Sequence, residues 1–373
     1  MITNYEIKKT GELKPEKSYK TFDIGQLEST DFVKLLQMNE DPIITLIHHT
    51  DMDGICAAQI MKEYLINVLD ISDTRIHYLA YNYEKDYDFN SHIAPNSKFI
   101  VFVDLSPKFK DFDNIINNDS SNSRVILWVD HHLSSVREVH DNSTEENTKL
   151  LARIDAYVDI NGCGTKNVYD LTKDSNMTDI DVTYDQFSKF GSIFNEDAIT
   201  LVDCYDRWLQ IPLKKDADAI NRLFYDSYQL FVDSELVHKL LHSYGNKKLA
   251  DDTLASLIEL GHKFLDLEKE KSKLKYIWLS KDLDFMTPDG RVYKASVIWG
   301  EGNSSLWGDN INDYDVVIRA NYNAKDQEYY FSFYSVKEDV DCSAIAKQYL
   351  GGGHFSSAAC VTSYNILNKK WKV

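Results

Sequence analysis

The sequence predicts an α/β protein: an N-terminal doubly wound parallel sheet, a helical connector, and a smaller C-terminal α/β domain. Three observations predict it. Short apolar runs rich in β-branched and aromatic residues (43–47, 99–103, 125–129) alternate with stretches of helical periodicity, as strands buried on both faces by crossover helices do. Each run stops on histidine or aspartate. A charged, nearly glycine-free stretch from 216 to 275 then precedes a second set of strand-like runs.

In order along the chain, residues 1–40 read as a polar extension, with a helix expected after Ser29-Thr30, whose hydroxyls suit an N-cap. The run 43–47 is a strand that stops at His48-His49-Thr50-Asp51-Met52-Asp53-Gly54. Ile55, Ala58, Met61, Leu65 and Val68 follow at helical spacing. Residues 76–81, 99–103 and 125–129 are further strands, the last two ending on Asp104 and on Asp130-His131-His132. A strand is expected within 151–160, then a turn at Asn161-Gly162-Cys163-Gly164 and a helix capped by Thr165 to about residue 174. The apolar segment 198–202 leads into Asp203-Cys204-Tyr205-Asp206-Arg207-Trp208. Strands return at 276–279, 292–299, 315–320 and 328–334. A helix at 343–349 is followed by Gly351-Gly352-Gly353-His354. The domains are therefore 41–245, a connector 246–275, and 276–373.

Composition narrows the ligand. Lys and Arg number 41 against 59 Asp and Glu, a formal charge of −18. Such a chain repels a long nucleic-acid backbone unless cations intervene, so the expected ligand is small and no long duplex is expected. Five cysteines without C-x-x-C spacing read as reduced thiols. No signal-peptide pattern or bilayer-length apolar run is present, so a cytoplasmic protein without a membrane partner is expected, with a homodimer compatible.

The chemistry concentrates at the strand ends. In His49-x-Asp51-x-Asp53-Gly54, alternate residues of an extended loop point the same way and converge. Asp104 and Asp130-His131-His132 arrive at the same edge of the sheet. A lone aspartate there is most often a turn former or helix cap, and a lone histidine most often a satisfied semi-buried one. Three buried strands all ending on ligand-type residues make the set harder to assign to chance. So many carboxylates together need counter-charge. Two divalent cations about 3.5–4 Å apart supply it. Oxygen and imidazole donors without thiolate point to Mn²⁺, with Mg²⁺ as the alternative.

The motifs His49-Thr50-Asp51-Met52-Asp53-Gly54, Val103-Asp104-Leu105-Ser106, Val129-Asp130-His131-His132 and Gly351-Gly352-Gly353-His354 resemble those of the DHH phosphoesterase superfamily, the last in its DHH-associated C-terminal domain. The resemblance covers roughly 40–210 and 275–365. It implies one metal held by His49, Asp51 and Asp104, and a second by Asp53, Asp104, His131 and a further aspartate. For that last ligand Asp203 is the first choice and Asp206 the alternative, otherwise a catalytic-site carboxylate. Asp130 would orient the histidine pair, and His132 would stand by the scissile phosphate or leaving group.

In the C-terminal domain, Gly351, Gly352, Gly353 and His354 would hold phosphate or sugar, the glycines by letting backbone approach an anion. The family's arginine on the preceding strand is replaced, with Tyr334 at that position. Tyr334 would then stack on a base, with Arg319 a candidate replacement cation. The direct His-x-Asp-x-Asp spacing resembles the nanoRNase and single-strand exonuclease branches. The expected activity is hydrolysis of short single-stranded oligoribonucleotides to nucleoside monophosphates. Cyclic (di)nucleotides or 3′-phosphoadenosine 5′-phosphate are alternative substrates, and a non-catalytic nucleotide-binding protein is the alternative of another class.

Overall fold

The computed structural model describes residues 19–20, 22–23, 26–83, 87–118, 123–142, 144, 147–177, 189–227, 231–243 and 246–368. Residues 1–18, 21, 24 and 25 of the expected extension lie outside that set. The chain divides into two compact units, one ending at Phe264 and one beginning at Leu265.

The first unit is built on the strands β1 (Tyr19–Lys20), β2 (Ile44–His49), β3 (Ile76–Tyr81), β4 (Phe99–Val103), β5 (Val125–Asp130) and β6 (Ile154–Val158). They form one sheet in the order β1-β6-β5-β4-β2-β3. β2 to β6 are all parallel, and β1 adds antiparallel to β6. The helices are α1 (Asp31–Gln37), α2 (Met52–Asn67), α3 (Phe109–Asn117), α4 (Leu133–Asn142), α5 (Thr148–Leu151), α6 (Gly164–Thr172), α7 (Glu196–Asp206), α8 (Lys214–Asp226) and α9 (Glu235–Leu241). A long helix, α10 (Lys247–Leu279), continues past the boundary between the units.

Alternate residues of each strand enter two separate cores. Leu46, Val101, Val103, Leu127, Val129 and Tyr157 face Ile55, Ala58 and Val202 on one side. Ile47, Ile100, Phe102, Ile126, Trp128 and Ala156 face Phe112, Ile115 and Val136 on the other. Both faces are therefore covered, which is why the strands read as unbroken apolar runs. The whole of α2 from Met52 to Leu65 is buried.

Strand order places the site. The chain steps from β2 outward to β3, then returns past β2 to β4, β5 and β6. The order reverses between β2 and β4, and ligands of open parallel sheets bind at the carboxyl ends of such a pair. The register is level there: His48 pairs with Val103, Val103 with Val129, and Val129 with Tyr157. His49, Asp104 and Asp130 come one residue later, at the same edge.

The second unit holds β7 (Ser280–Met286), β8 (Val292–Trp299), β9 (Val316–Asn323), β10 (Glu328–Tyr334), β11 (Gly352–Gly353) and β12 (Ser357–Thr362), with helix α11 (Cys342–Lys347). The sheet order is β11-β12-β10-β9-β8-β7, antiparallel except for β8 beside β9. Ile345, Ala346 and Tyr349 pack on its Ile318, Phe331 and Phe333.

Two expected strands changed. Residues 276–279 form the last turn of α10, although tyrosine, isoleucine and tryptophan favour strands. No glycine or proline interrupts the helix between Gly261 and Ser280, and propagating an existing helix is easier than nucleating a new strand. The strand expected within 151–160 is limited to Ile154–Val158, after the turn of α5. The apolar segment 198–202 is the middle of α7. All five cysteines are free and buried. No helix among the described residues is long and apolar enough to cross a membrane.

Candidate metal centre

The loop after β2 is fixed from within. Asp51 caps α2, its Oδ1 accepting the N–H of Gly54 at 2.9 Å. The capping role and a ligand role are compatible, because its other oxygen, Oδ2, lies 2.9 Å from His49 Nδ1. Gly54 is required for close approach: a Cβ there would stand 2.5 Å from the carbonyl oxygen of His49. Gly54 sits inside the first turn of α2.

Asp104 is the hub. It has φ +53°, in the left-handed region that aspartate tolerates better than most residues. Its N–H donates to the Val129 carbonyl at 3.0 Å. Its Oδ2 is 3.9 Å from His49 Nδ1 and its Oδ1 is 3.1 Å from His131 Nε2. His131 Nε2 is also 3.7 Å from Asp53 Oδ2 and 3.3 Å from Asp206 Oδ2. Two triads result, His49–Asp51–Asp104 and Asp53–His131–Asp206, each with donor atoms within 4.8 Å of one another. Asp104 touches both.

The structure brings Asp206 to this cluster and not Asp203, the first choice from sequence. Asp203 Oδ1 accepts the Cys163 N–H at 2.7 Å, and both its oxygens bind the Arg207 guanidinium. Asp203 and Asp206 are three residues apart and neighbours on α7, so their partners separate them: the arginine four residues after Asp203 claims both its oxygens.

Asp130 is fully buried. Its Oδ1 lies 2.8 Å from His132 Nδ1, and Ser135 Oγ donates to its Oδ2. The ring centroids of His131 and His132 are 4.4 Å apart. Sequence reasoning missed the amino end of α6. The N–H groups of Gly164 and Thr165 each donate to the Asp53 carboxylate at 2.7 Å, and Thr165 Oγ1 donates to the Asp53 carbonyl at 2.8 Å. Asp53 thus caps a second helix from outside, where the helix end stabilises an anion. A Cβ on Gly164 would stand 2.6 Å from Asp104 Cβ, so this glycine seats α6 against the hub. The turn at 161–165 was visible in sequence, but its carboxylate partner, over a hundred residues earlier, was not. Asn82 Oδ1, 3.3 Å from His49 Nε2, had no sequence signal either.

The electrostatics match a cation site. Burial, then the charges on Asp53 and Asp51, push both Asp104 and Asp206 well above the usual carboxylate range. Asp104 Oδ1 and Asp206 Oδ2 are buried and accept no hydrogen bond, an expensive state for a carboxylate oxygen without a cation. Burial also raises Asp51, but the hydrogen bond from His49 and its charge outweigh this and hold it down at about 2. For Asp130, burial is outweighed by the charge on His132 and the hydrogen bond from it. The donor set, its crowding and its two orphan oxygens fit divalent cations.

A stability prediction follows for the metal-free chain. In the folded state Asp104 and Asp206 keep protons that the unfolded chain loses near pH 4. Their contribution is fully present below that value and is lost as pH rises through the folded values. The depressed carboxyls Asp51 and Asp130 act only below about pH 4, outside this window. The expected result is a metal-free protein that loses stability from pH 5 toward pH 8, by up to about 1.4 kcal/mol per pH unit for each proton involved. Saturating divalent cation should remove most of that slope. Equal slopes with and without cation, measured by denaturant melts, would contradict the assignment.

In the second unit, Arg319 and Tyr334 share a face. Ser332 pairs with Arg319 across the sheet, and Tyr334 lies two residues further along the strand. Burial raises the Tyr334 hydroxyl, against the lowering effects of Ser332 and the Arg319 charge. Arg319 donates to the Gly302 carbonyl at 3.1 Å, while its Nε is buried without a hydrogen-bond partner. The glycines have a different reason from the one expected. A Cβ on Gly351 would stand 2.1 Å from the Ala359 carbonyl oxygen, and one on Gly353 2.6 Å from Ala358 Cα. Both are needed to seat β11 on β12, and only Gly352 faces open space. Gly352, Gly353 and His354 are exposed, and the His354 N–H donates to the Ser357 carbonyl at 2.7 Å.

No family model matches the chain, and no curated protein matches it significantly. Solved structures do resemble it. One is an exonuclease RecJ bound to manganese, 14% identical, covering 88% of this chain and 89% of that one at a TM-score of 0.47. A second is a pGpG-specific phosphodiesterase, PggH, from Vibrio cholerae, 14% identical, covering 86% and 92% at 0.38. A third is an uncharacterized protein from Helicobacter pylori G27, 16% identical, covering 85% and 92% at 0.33.

Proposed function

We propose that the chain is a two-metal phosphoesterase of the DHH superfamily that hydrolyses short oligoribonucleotides to nucleoside monophosphates. The observation that carries the reading is the pair of triads joined at Asp104, with two buried carboxylate oxygens that accept no hydrogen bond. His49, Asp51 and Asp104 would hold one Mn²⁺ or Mg²⁺, and Asp53, Asp104, His131 and Asp206 the other. Such a pair of cations activates water and neutralises charge developing on a phosphoryl group.

The remaining residues have roles that follow from their contacts. Asp130 faces His132 Nδ1 and so favours the tautomer protonated there, leaving Nε2 as the atom able to hold or pass a proton. With a fifth of its side chain exposed, His132 is reachable by a leaving group. The helix end formed by Gly164 and Thr165 fixes Asp53 in orientation, so the ligand set costs little reorganisation when charge changes. Arg319 and Tyr334 offer a cation and an aromatic surface to a nucleotide, and Gly352 and His354 an exposed edge. The −18 charge supports a short substrate.

The test is a side-by-side hydrolysis panel with Mn²⁺: labelled oligoribonucleotides of two to about ten residues, a cyclic dinucleotide, and 3′-phosphoadenosine 5′-phosphate. The expected result is release of monophosphates fastest from the shortest oligoribonucleotides. Preference for either small phosphate compound would move the substrate assignment. Nucleotide binding with no ester cleaved at any metal concentration would replace the enzyme with a binding protein.

A further inference from the structure

We propose that Glu63, His238 and His242 form a second divalent-cation site, for an ion of the zinc class, which clips α9 to α2. One donor atom of each lies within 4.8 Å of the other two. Asp53 and Glu63 are ten residues apart on α2, about 15 Å along the axis at 1.5 Å per residue. The cluster is therefore distinct from the centre described above and does not depend on its function.

The donors are oriented in advance. Glu63 Oε1 accepts from Gln59 Nε2 at 2.7 Å, which leaves Oε2 turned to His242 Nε2 at 2.8 Å. Gln59 is fully buried, and its Oε1 accepts the Asp233 N–H at 2.7 Å. That bond ties the entry of α9 to α2. His242 Nδ1 lies 3.1 Å from the His238 carbonyl. A carbonyl only accepts, so Nδ1 carries a proton. Without metal, Nε2 donates to Glu63 Oε2, which favours the charged ring, and a bound cation would take the place of that Nε2 proton between the two side chains. This arrangement, with the outer nitrogen donating to a carbonyl, is the usual support for a metal-bound histidine.

A plain Glu63–His242 ion pair leaves the second imidazole unexplained. His238 stacks on His242, ring centroids 5.0 Å apart and planes at 29°. Two imidazolium rings at that distance repel, whereas one cation uses both lone pairs. Donors about 2.0–2.2 Å from a tetrahedral zinc stand roughly 3.3 Å from one another. His238, with about a third of its side chain exposed, is free to make that adjustment. Its Nε2 is 3.6 Å from Asp233 Oδ1. Two imidazoles with one carboxylate, and a fourth position open to water, suit zinc-class ions over Mg²⁺, which prefers oxygen donors.

The experiment titrates Zn²⁺ into the full chain against a chromophoric chelator, with millimolar Mg²⁺ present, for wild type, His238→Ala and Glu63→Gln. The expected result is one Zn²⁺ fewer, or at least a tenfold weaker site, in each variant, with every other zinc event unchanged. Identical titrations in wild type and variants would overturn the proposal. A variant that fails the circular-dichroism check for folding is replaced by a crystal of the wild-type chain grown with Zn²⁺. An anomalous peak bonded to all three side chains supports the site, and anomalous scattering found only elsewhere overturns it.

Discussion

Asp104→Asn should abolish turnover while leaving a chain at least as stable, without metal, as the wild type. Asp104 belongs to one triad and lies 3.1 Å from His131 of the other. Asparagine keeps one neutral oxygen but removes the negative charge that both proposed cations draw on, and with it several kcal/mol of transition-state stabilisation. A fall in kcat of about a thousandfold or more is expected, at roughly tenfold per 1.4 kcal/mol. Stability should move the other way. Burial and the carboxylates of Asp53, Asp51, Asp206 and Asp130 all oppose ionisation of Asp104, and asparagine removes that repulsion. It also tolerates φ +53°, which alanine does not. Asn is therefore the informative substitution, since Ala mixes lost charge with backbone strain. Metal-free melts, melts with Mn²⁺, and kcat on the preferred substrate form the test. Retained kcat, or a metal-free protein several kcal/mol less stable, would remove Asp104 from the proposed metal centre.

Much of the fold was legible because burial on both faces leaves a plain mark. The runs that became β3, β4 and β10 matched their structural bounds: β4 is buried throughout, and the partly exposed β3 and β10 are rich in aromatic residues that favour strands. The run 276–279 misled because β-favouring side chains sat at the end of an uninterrupted helix. Strand-end ligands were legible for a related reason: His49, Asp104 and Asp130 follow apolar runs whose ends must align in a parallel sheet. Contacts between distant segments left no such mark. The pairing of Asp53 with the amino end of α6 joins residues over a hundred positions apart. Neither Gly164 nor Gly351 advertises which neighbour forbids its side chain. Gly351, Gly352 and Gly353 were read for a ligand, and two of the three also answer to the adjacent strand. A glycine records that something comes close, not what it is.

The choice between Asp203 and Asp206 shows the same limit and yields the second large prediction. Sequence offers two aspartates three residues apart, and helical geometry decides between them only once the partners are known. Asp206→Asn should lower kcat by about a hundredfold or more and weaken one metal site, with metal-free stability held or raised, because Asp206 too is pushed up by burial and neighbouring carboxylates. Asp203→Asn should do the reverse. It strips the partner from Arg207, whose guanidinium makes two bonds to Asp203 and is mostly buried. Breaking such a pair costs about 3 kcal/mol, while the metal donors remain in place. Metal stoichiometry should then stay at the wild-type value in Asp203→Asn and drop in Asp206→Asn. If the two variants exchanged these phenotypes, the ligand would be Asp203 after all, and α7 would have to be turned relative to His131 in the working protein.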